Sequence, residues 1–187
     1  MKKTLILLII FSSLMLTTNL WAQVWTAGDN VTLNIPEFAL IETNYAPVSL
    51  SLTTSTAGAA VTSVSNSDLF VKISSLTPGA TDREITAKIS SGTIPAGTKL
   101  TLVSAACTTT NSGGDLGTVN STPIVLSAID QVLALGISSC YTGTGYNDGF
   151  QMTFTWSPDS PATNYSLLQS DTYNITVVFT LSAHDGN

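Results

Sequence analysis

The amino-acid sequence is that of an all-β protein, a single antiparallel, immunoglobulin-like β-sandwich of about nine to eleven strands. Apolar residues recur at every second position along most of the chain, and clusters of Gly, Pro, Asn, Asp and Ser interrupt these runs at short intervals. No sustained helical period follows residue 23. Period-two alternation puts successive side chains on opposite faces of a strand, so that one face packs while the other stays wet.

Met1-Lys2-Lys3 leads into an apolar run from Leu5 to Leu16, then a polar stretch ending in the small residue Ala22. A charged start, an apolar centre of about a dozen residues and a small residue make a secretory signal peptide, too short for an ordinary membrane span. Cleavage is expected after Ala22, leaving 23–187 as one sandwich domain, exported to the periplasm, the cell surface or beyond. No membrane insertion of this mature part is expected.

The strands follow in order. Val31, Leu33 and Ile35 alternate with polar neighbours, as do Val48, Leu50 and Leu52; Leu69, Val71 and Ile73; and Ile85, Ala87 and Ile89. Phe150, Met152, Phe154 and Trp156 form the most aromatic run, which is read as core. The last run, Tyr173, Ile175, Val177, Phe179 and Leu181, is the longest, with Val178 its one exception. β-Branched and aromatic residues suit such half-buried, pleated surfaces. Turns are expected at Thr77-Pro78-Gly79, Ile94-Pro95-Ala96-Gly97, Asn111-Ser112-Gly113-Gly114-Asp115 and Ser157-Pro158-Asp159-Ser160-Pro161, and a single helical turn around Tyr165-Ser166-Leu167-Leu168.

Twelve acidic residues face six basic ones, and Lys2 and Lys3 leave with the leader. The remaining cations, Lys72, Arg83, Lys88 and Lys99, are scattered, which excludes an electrostatic footprint for nucleic acid or anionic lipid. The 43% apolar content, arranged periodically, excludes a disordered chain. In an exported protein the two cysteines, Cys107 and Cys140, are expected to form a disulfide.

Residues 139–156 read S-C-Y-T-G-T-G-Y-N-D-G-F-Q-M-T-F-T-W. Gly143, Gly145 and Gly149 are spaced one residue too widely for a dinucleotide loop, and a strand rather than a helix follows them. Asn147, Asp148 and Asp115 lack the dense oxygen spacing of a calcium loop, so neither a metal nor a cofactor is expected. The segment reads best as a glycine-permitted corner between strands. Tyr141, Tyr146, Asn147 and Asp148 are its candidate binding residues, for a glycan or a surface protein. Catalysis finds no constellation: His184, the only histidine, lies in a tail expected to fray, and no local pattern selects a pair of carboxylates.

An acidic Ser/Thr-rich sandwich behind such a leader, with one disulfide and the closing strand Thr176-Val177-Val178-Phe179-Thr180-Leu181, is similar to fimbrial-type and spore-coat-U-like secreted bacterial domains. Arg83-Glu84-Ile85-Thr86-Ala87, Ile94-Pro95-Ala96-Gly97-Thr98 and Cys140-Tyr141-Thr142-Gly143 resemble segments of uncharacterised secreted proteins of the Bacteroidota. The resemblance spans most of the mature chain at the level of pattern. It implies a non-enzymatic structural or adhesive subunit of a surface fibre or coat, with self-assembly or a periplasmic chaperone as the partnership. The run Tyr173, Ile175, Val177, Phe179, Leu181 is then the candidate assembly strand. The competing reading is a secreted monomeric binding module for a carbohydrate or protein ligand that uses end loops such as 141–149 and 109–118.

Overall fold

A computed structural model describes residues 27–184. The expected leader, 1–22, lies outside them. In chain order the elements are β1 (Phe38–Thr43), β2 (Val64–Leu76), β3 (Arg83–Ser91), β4 (Thr98–Ala105), β5 (Gly113–Gly114), β6 (Thr118–Val119), β7 (Ile124–Val125), β8 (Gln131–Ile137), β9 (Cys140–Tyr141) and β10 (Phe150–Pro158). A four-residue helix, α1 (Pro161–Asn164), and a 3-10 turn (Tyr165–Leu167) precede β11 (Thr176–Ala183). All strand pairs are antiparallel. The fold is an all-β sandwich of a seven-stranded and a four-stranded sheet.

In the larger sheet β2 is central. β1 flanks it on one side, while β9 and β10 follow one another along its other side. β4 and β5 lie beyond β10 and β9 in the same way, and β7 closes that edge against β4. The smaller sheet runs β11-β3-β8-β6. One hairpin belongs to both sheets. Its arms pair as β6 with β8 in the smaller sheet and as β5 with β9 in the larger. The hydrogen bonds Ser138 N–H to Asp115 O and Asp115 N–H to Ser139 O carry the ladder across between them. This hairpin is a corner of the sandwich, where strands change sheets.

Alternation explains the core. Leu69, Val71 and Ile73 of β2, Leu100 and Leu102 of β4, and Phe150, Met152 and Phe154 of β10 point inward from one sheet. Ile85 and Ala87 of β3 and Leu133, Ala134 and Ile137 of β8 meet them from the other. Each large side chain fully buried in this layer contributes about 1.5–3 kcal/mol. Arg83, buried at the start of β3, pairs with Glu37 just ahead of β1. His184 is held rather than frayed: its N–H donates to Asp82 O, and its Nδ1 lies 3.0 Å from Glu84 Oε2.

Three alternating runs are not ladders as expected. Residues 31–35 form no strand, residues 48–52 form none, and Tyr173 and Ile175 precede β11 rather than belonging to it. For 48–52 the cause lies at Asn44. Its side-chain oxygen accepts from Phe70 N–H and Ala46 N–H, and its amide donates to Asp68 O. That one side chain takes up edge groups of β2 that a longer β1 would have used. Tyr45 follows at φ 55, a left-handed conformation uncommon outside glycine, which turns the chain off the sheet. Alternation licenses a strand, but a strand also needs an unoccupied edge.

Candidate functional site

The corner singled out by sequence is built on an interruption of one ladder. Between β4 and β10 the last rung is Ala105 with Gln151, and pairing resumes between β5 and β9 at Gly113 with Tyr141. Two segments, 106–112 and 142–150, therefore leave this ladder together. On the β2 side the line barely breaks. Thr142 N–H donates to Ile73 O, and its fully buried hydroxyl oxygen lies 3.0 Å from Ile73 N, from which it accepts. Phe150 then pairs with Val71, so only Lys72 of β2 separates the two. Residues 143–149 are a detour from an otherwise continuous strand.

Asp148 holds the detour in place. It is 6% exposed and turned inward. Its Oδ1 accepts from the Thr109 hydroxyl at 2.8 Å, and its Oδ2 from Gly145 N–H at 2.7 Å and the Asn111 amide at 3.2 Å. One carboxylate thus ties both excursions together. A Cβ on Gly145 would stand 2.8 Å from Oδ2, which is why the carboxylate can lie so close over this backbone. The glycine-rich loop is a cradle, and the anion it cradles is the protein's own.

These bonds hold the Asp148 carboxyl below its ordinary range. The Thr109 hydroxyl is the largest cause and the Gly145 amide the next, and together with Asn111 and Lys72 they outweigh the opposing effect of burial. A depressed carboxylate stabilises the fold above its unfolded pKa, and that contribution disappears as pH falls through the lower folded value. In an amide NMR titration, the Gly145 resonance is expected to move with a midpoint below the ordinary aspartate value of 3.8. Asp148→Asn is expected to abolish that transition. A midpoint above 3.8 would contradict the assignment.

The other candidates face outward. Tyr141 and Tyr146 are 54% and 62% exposed, and Asn147 is exposed beside Tyr146. The structure leaves these three exposed to solvent and withdraws Asp148 from it. Thr109, Asn111, Thr142 and Gly113 complete the corner, and sequence reasoning missed their roles. Thr109, Asn111 and Gly113 lie in the end loop expected at 109–118, but nothing in their local spacing shows the bonds to Asp148 or the contact with Tyr141.

The expected disulfide is a correction. Cys107 and Cys140 are both free thiols in the structure. Cys140 sits in the ladder opposite Gly114 and Ser75, whereas Cys107 belongs to the segment that has stepped out of it. The Cys107 thiol lies 3.9 Å from Thr142 O, toward which it donates. Burial, then the negative charge of Asp115 and the neighbouring Cys107, push the Cys140 thiol up to about 11, so it is protonated at neutral pH.

A second feature lies at the other end of the strands. A groove of about 1150 Å³ opens between the sheets, with Leu69, Leu100, Phe154 and Trp156 on one side and Val177 and Phe179 on the other. Its rims come from 45–53 and 168–175, extended segments without ladder partners, and they include Leu50, Leu52, Tyr173 and Ile175. Of the candidate assembly strand, Tyr173, Ile175, Val177 and Phe179 line this groove, while Leu181 packs on the core. β11 hydrogen-bonds to β3 alone among the described strands. The described residues hold no cluster of metal-ligating side chains, and none of their helices is long and apolar enough to cross a membrane.

Comparison with known protein families, curated proteins and solved structures finds no match to this chain.

Proposed function

We propose that this protein is a non-enzymatic structural or adhesive subunit of a bacterial extracellular appendage or surface coat, exported through the periplasm and joined to its neighbours by strand addition. The observation that supports it is the apolar groove beside β11, a strand with one unpaired side. A sandwich that leaves Trp156, Phe154 and Phe179 around an open groove has room for an extended segment with alternate apolar side chains. The chain carries such a segment. Val31, Leu33 and Ile35 alternate and are 80%, 86% and 79% exposed. Supplied by a second copy or mimicked by a chaperone, three such side chains would contribute about 1.5–3 kcal/mol each on burial, besides the hydrogen bonds to β11. The sequence resemblance to fimbrial-type and coat proteins points the same way.

The reading is tested on chain 23–187 by light scattering over a concentration series, followed by negative-stain microscopy. Oligomers or filaments are expected, and Tyr173→Asp, on the exposed rim of the groove, is expected to abolish them while leaving the circular dichroism spectrum unchanged. A peptide of residues 30–37 is expected to bind the wild-type chain and not the variant. A chain that stays monomeric and ignores the peptide would sink the proposal.

A further inference from the structure

We infer that the Tyr141–Asn147 corner is a binding platform for neutral carbohydrate. This site lies on a different part of the sandwich from the groove and stands or falls independently of assembly. Tyr141 is fixed in the ladder between Ser74 and Gly113. A Cβ built on Gly113 would lie 2.8 Å from the Tyr141 hydroxyl and 2.9 Å from Cε1 and Cζ. The ring therefore covers Gly113 at a distance that no side chain there would permit. One side of the phenol rests on the backbone of the neighbouring strand, and the other is open to solvent.

Tyr146 adds a second exposed ring five residues along the same loop. Among the described residues, neither phenol hydroxyl makes a hydrogen bond, and neither does the Asn147 carboxamide. The backbone beneath them is already ordered by Asp148 and Thr142, so a ligand would not bear the entropy of fixing the loop. An open aromatic face offers the C–H side of a sugar ring a surface to stack on, and free amide and phenol groups can bind its hydroxyls.

Charge and composition narrow the ligand class. Asp148 is withdrawn into the loop, and Lys72, the nearby cation, pairs with Glu42 at 3.8 Å. Nothing on the platform selects an anionic sugar. The loop from Tyr141 to Gly149 carries no aliphatic side chain, so two exposed phenols are its apolar surface, well short of the roughly 800 Å² a side that a stable protein interface buries.

The test is saturation-transfer NMR and calorimetry on chain 23–187. The probes are cello-, malto-, manno-, xylo- and chito-hexaose, with heparin as the anionic control. At least one neutral hexaose is expected to bind, and Tyr141→Ala and Tyr146→Ala are each expected to weaken it by about tenfold or more. Tyr141→Phe, which keeps the ring, is expected to retain most of the affinity. Gly113→Ala, which lifts the ring without removing it, is expected to weaken binding as Tyr141→Ala does. Tyr173→Asp, at the exposed rim of the groove, is expected to leave it unchanged. Failure to bind any neutral hexaose, binding of heparin alone, or full affinity in both alanine variants would overturn the inference. Tyr146→Ala changes only a solvent-facing side chain, so it remains informative if a Gly113 variant folds poorly.

Discussion

Phe150→Ala is expected to lower the unfolding free energy by about 3–5 kcal/mol, a large share of the roughly 5–15 kcal/mol that holds a domain of this kind together. Phe150 is the first residue of β10, is 1% exposed, and pairs with Val71 where the detour rejoins β2. Its ring fills the layer shared with Met152, Leu102 and Ile85, all essentially inaccessible to solvent. Truncation would remove the transfer energy of the ring and leave a cavity beneath the corner, where Thr142 is fixed by its bonds to Ile73 and cannot collapse inward. Urea denaturation followed by tryptophan fluorescence measures the loss. A cost below about 1 kcal/mol would mean that the core repacks freely around this position.

Gly149→Val is the second large effect, and it arises from backbone rather than packing. Gly149 has φ 111, a region that residues with a Cβ rarely adopt, and a Cβ there would run into the carbonyl of Val71. Backbone strain of this kind costs about 1–3 kcal/mol on its own, and the collision adds to it by forcing β10 away from β2. Gly79 separates the two contributions. It also has a positive φ, 62, but nothing lies within 4 Å of its added Cβ. Gly79→Ala is therefore expected to show the strain alone, and Gly149→Ala the strain plus the collision. Thermal unfolding of the two variants checks the ordering, and equal melting temperatures would contradict it.

Much of the fold is legible in the chain because strands announce themselves by local alternation. Leu69-Val71-Ile73, Ile85-Ala87, Phe150-Met152-Phe154 and Val177-Phe179-Leu181 all face inward as their spacing requires. What was not legible depends on distant partners. Residues 48–52 alternate as well as any, yet Asn44 and Tyr45 divert them, and nothing in the run itself shows that the adjacent edge is occupied. The four strands of two residues each, β5, β6 and β9 at the hairpin corner and β7, are too short to have a period. At the candidate site, the glycines and aspartate of the corner could be read as turn chemistry. The orientation of Asp148 could not, because Thr109 and Asn111 reach it from 39 and 37 residues away. The cysteines misled for the same reason: compartment and number suggest a bond, but geometry decides it, and Cys107 lies on the segment that leaves the ladder.

The detour at 143–149 has a consequence for variation among chains of this architecture. Thr142 and Phe150 are seated on β2 with a single β2 residue between them, so the register of the whole line is set outside the loop. The residues at its tip take no part in aligning the strands. Exchanges at Thr144, Tyr146 and Asn147 can therefore alter the surface presented to solvent while Gly145, Asp148 and the rungs on either side keep the sandwich in alignment. The surface at this corner is free to diversify faster than the scaffold that carries it.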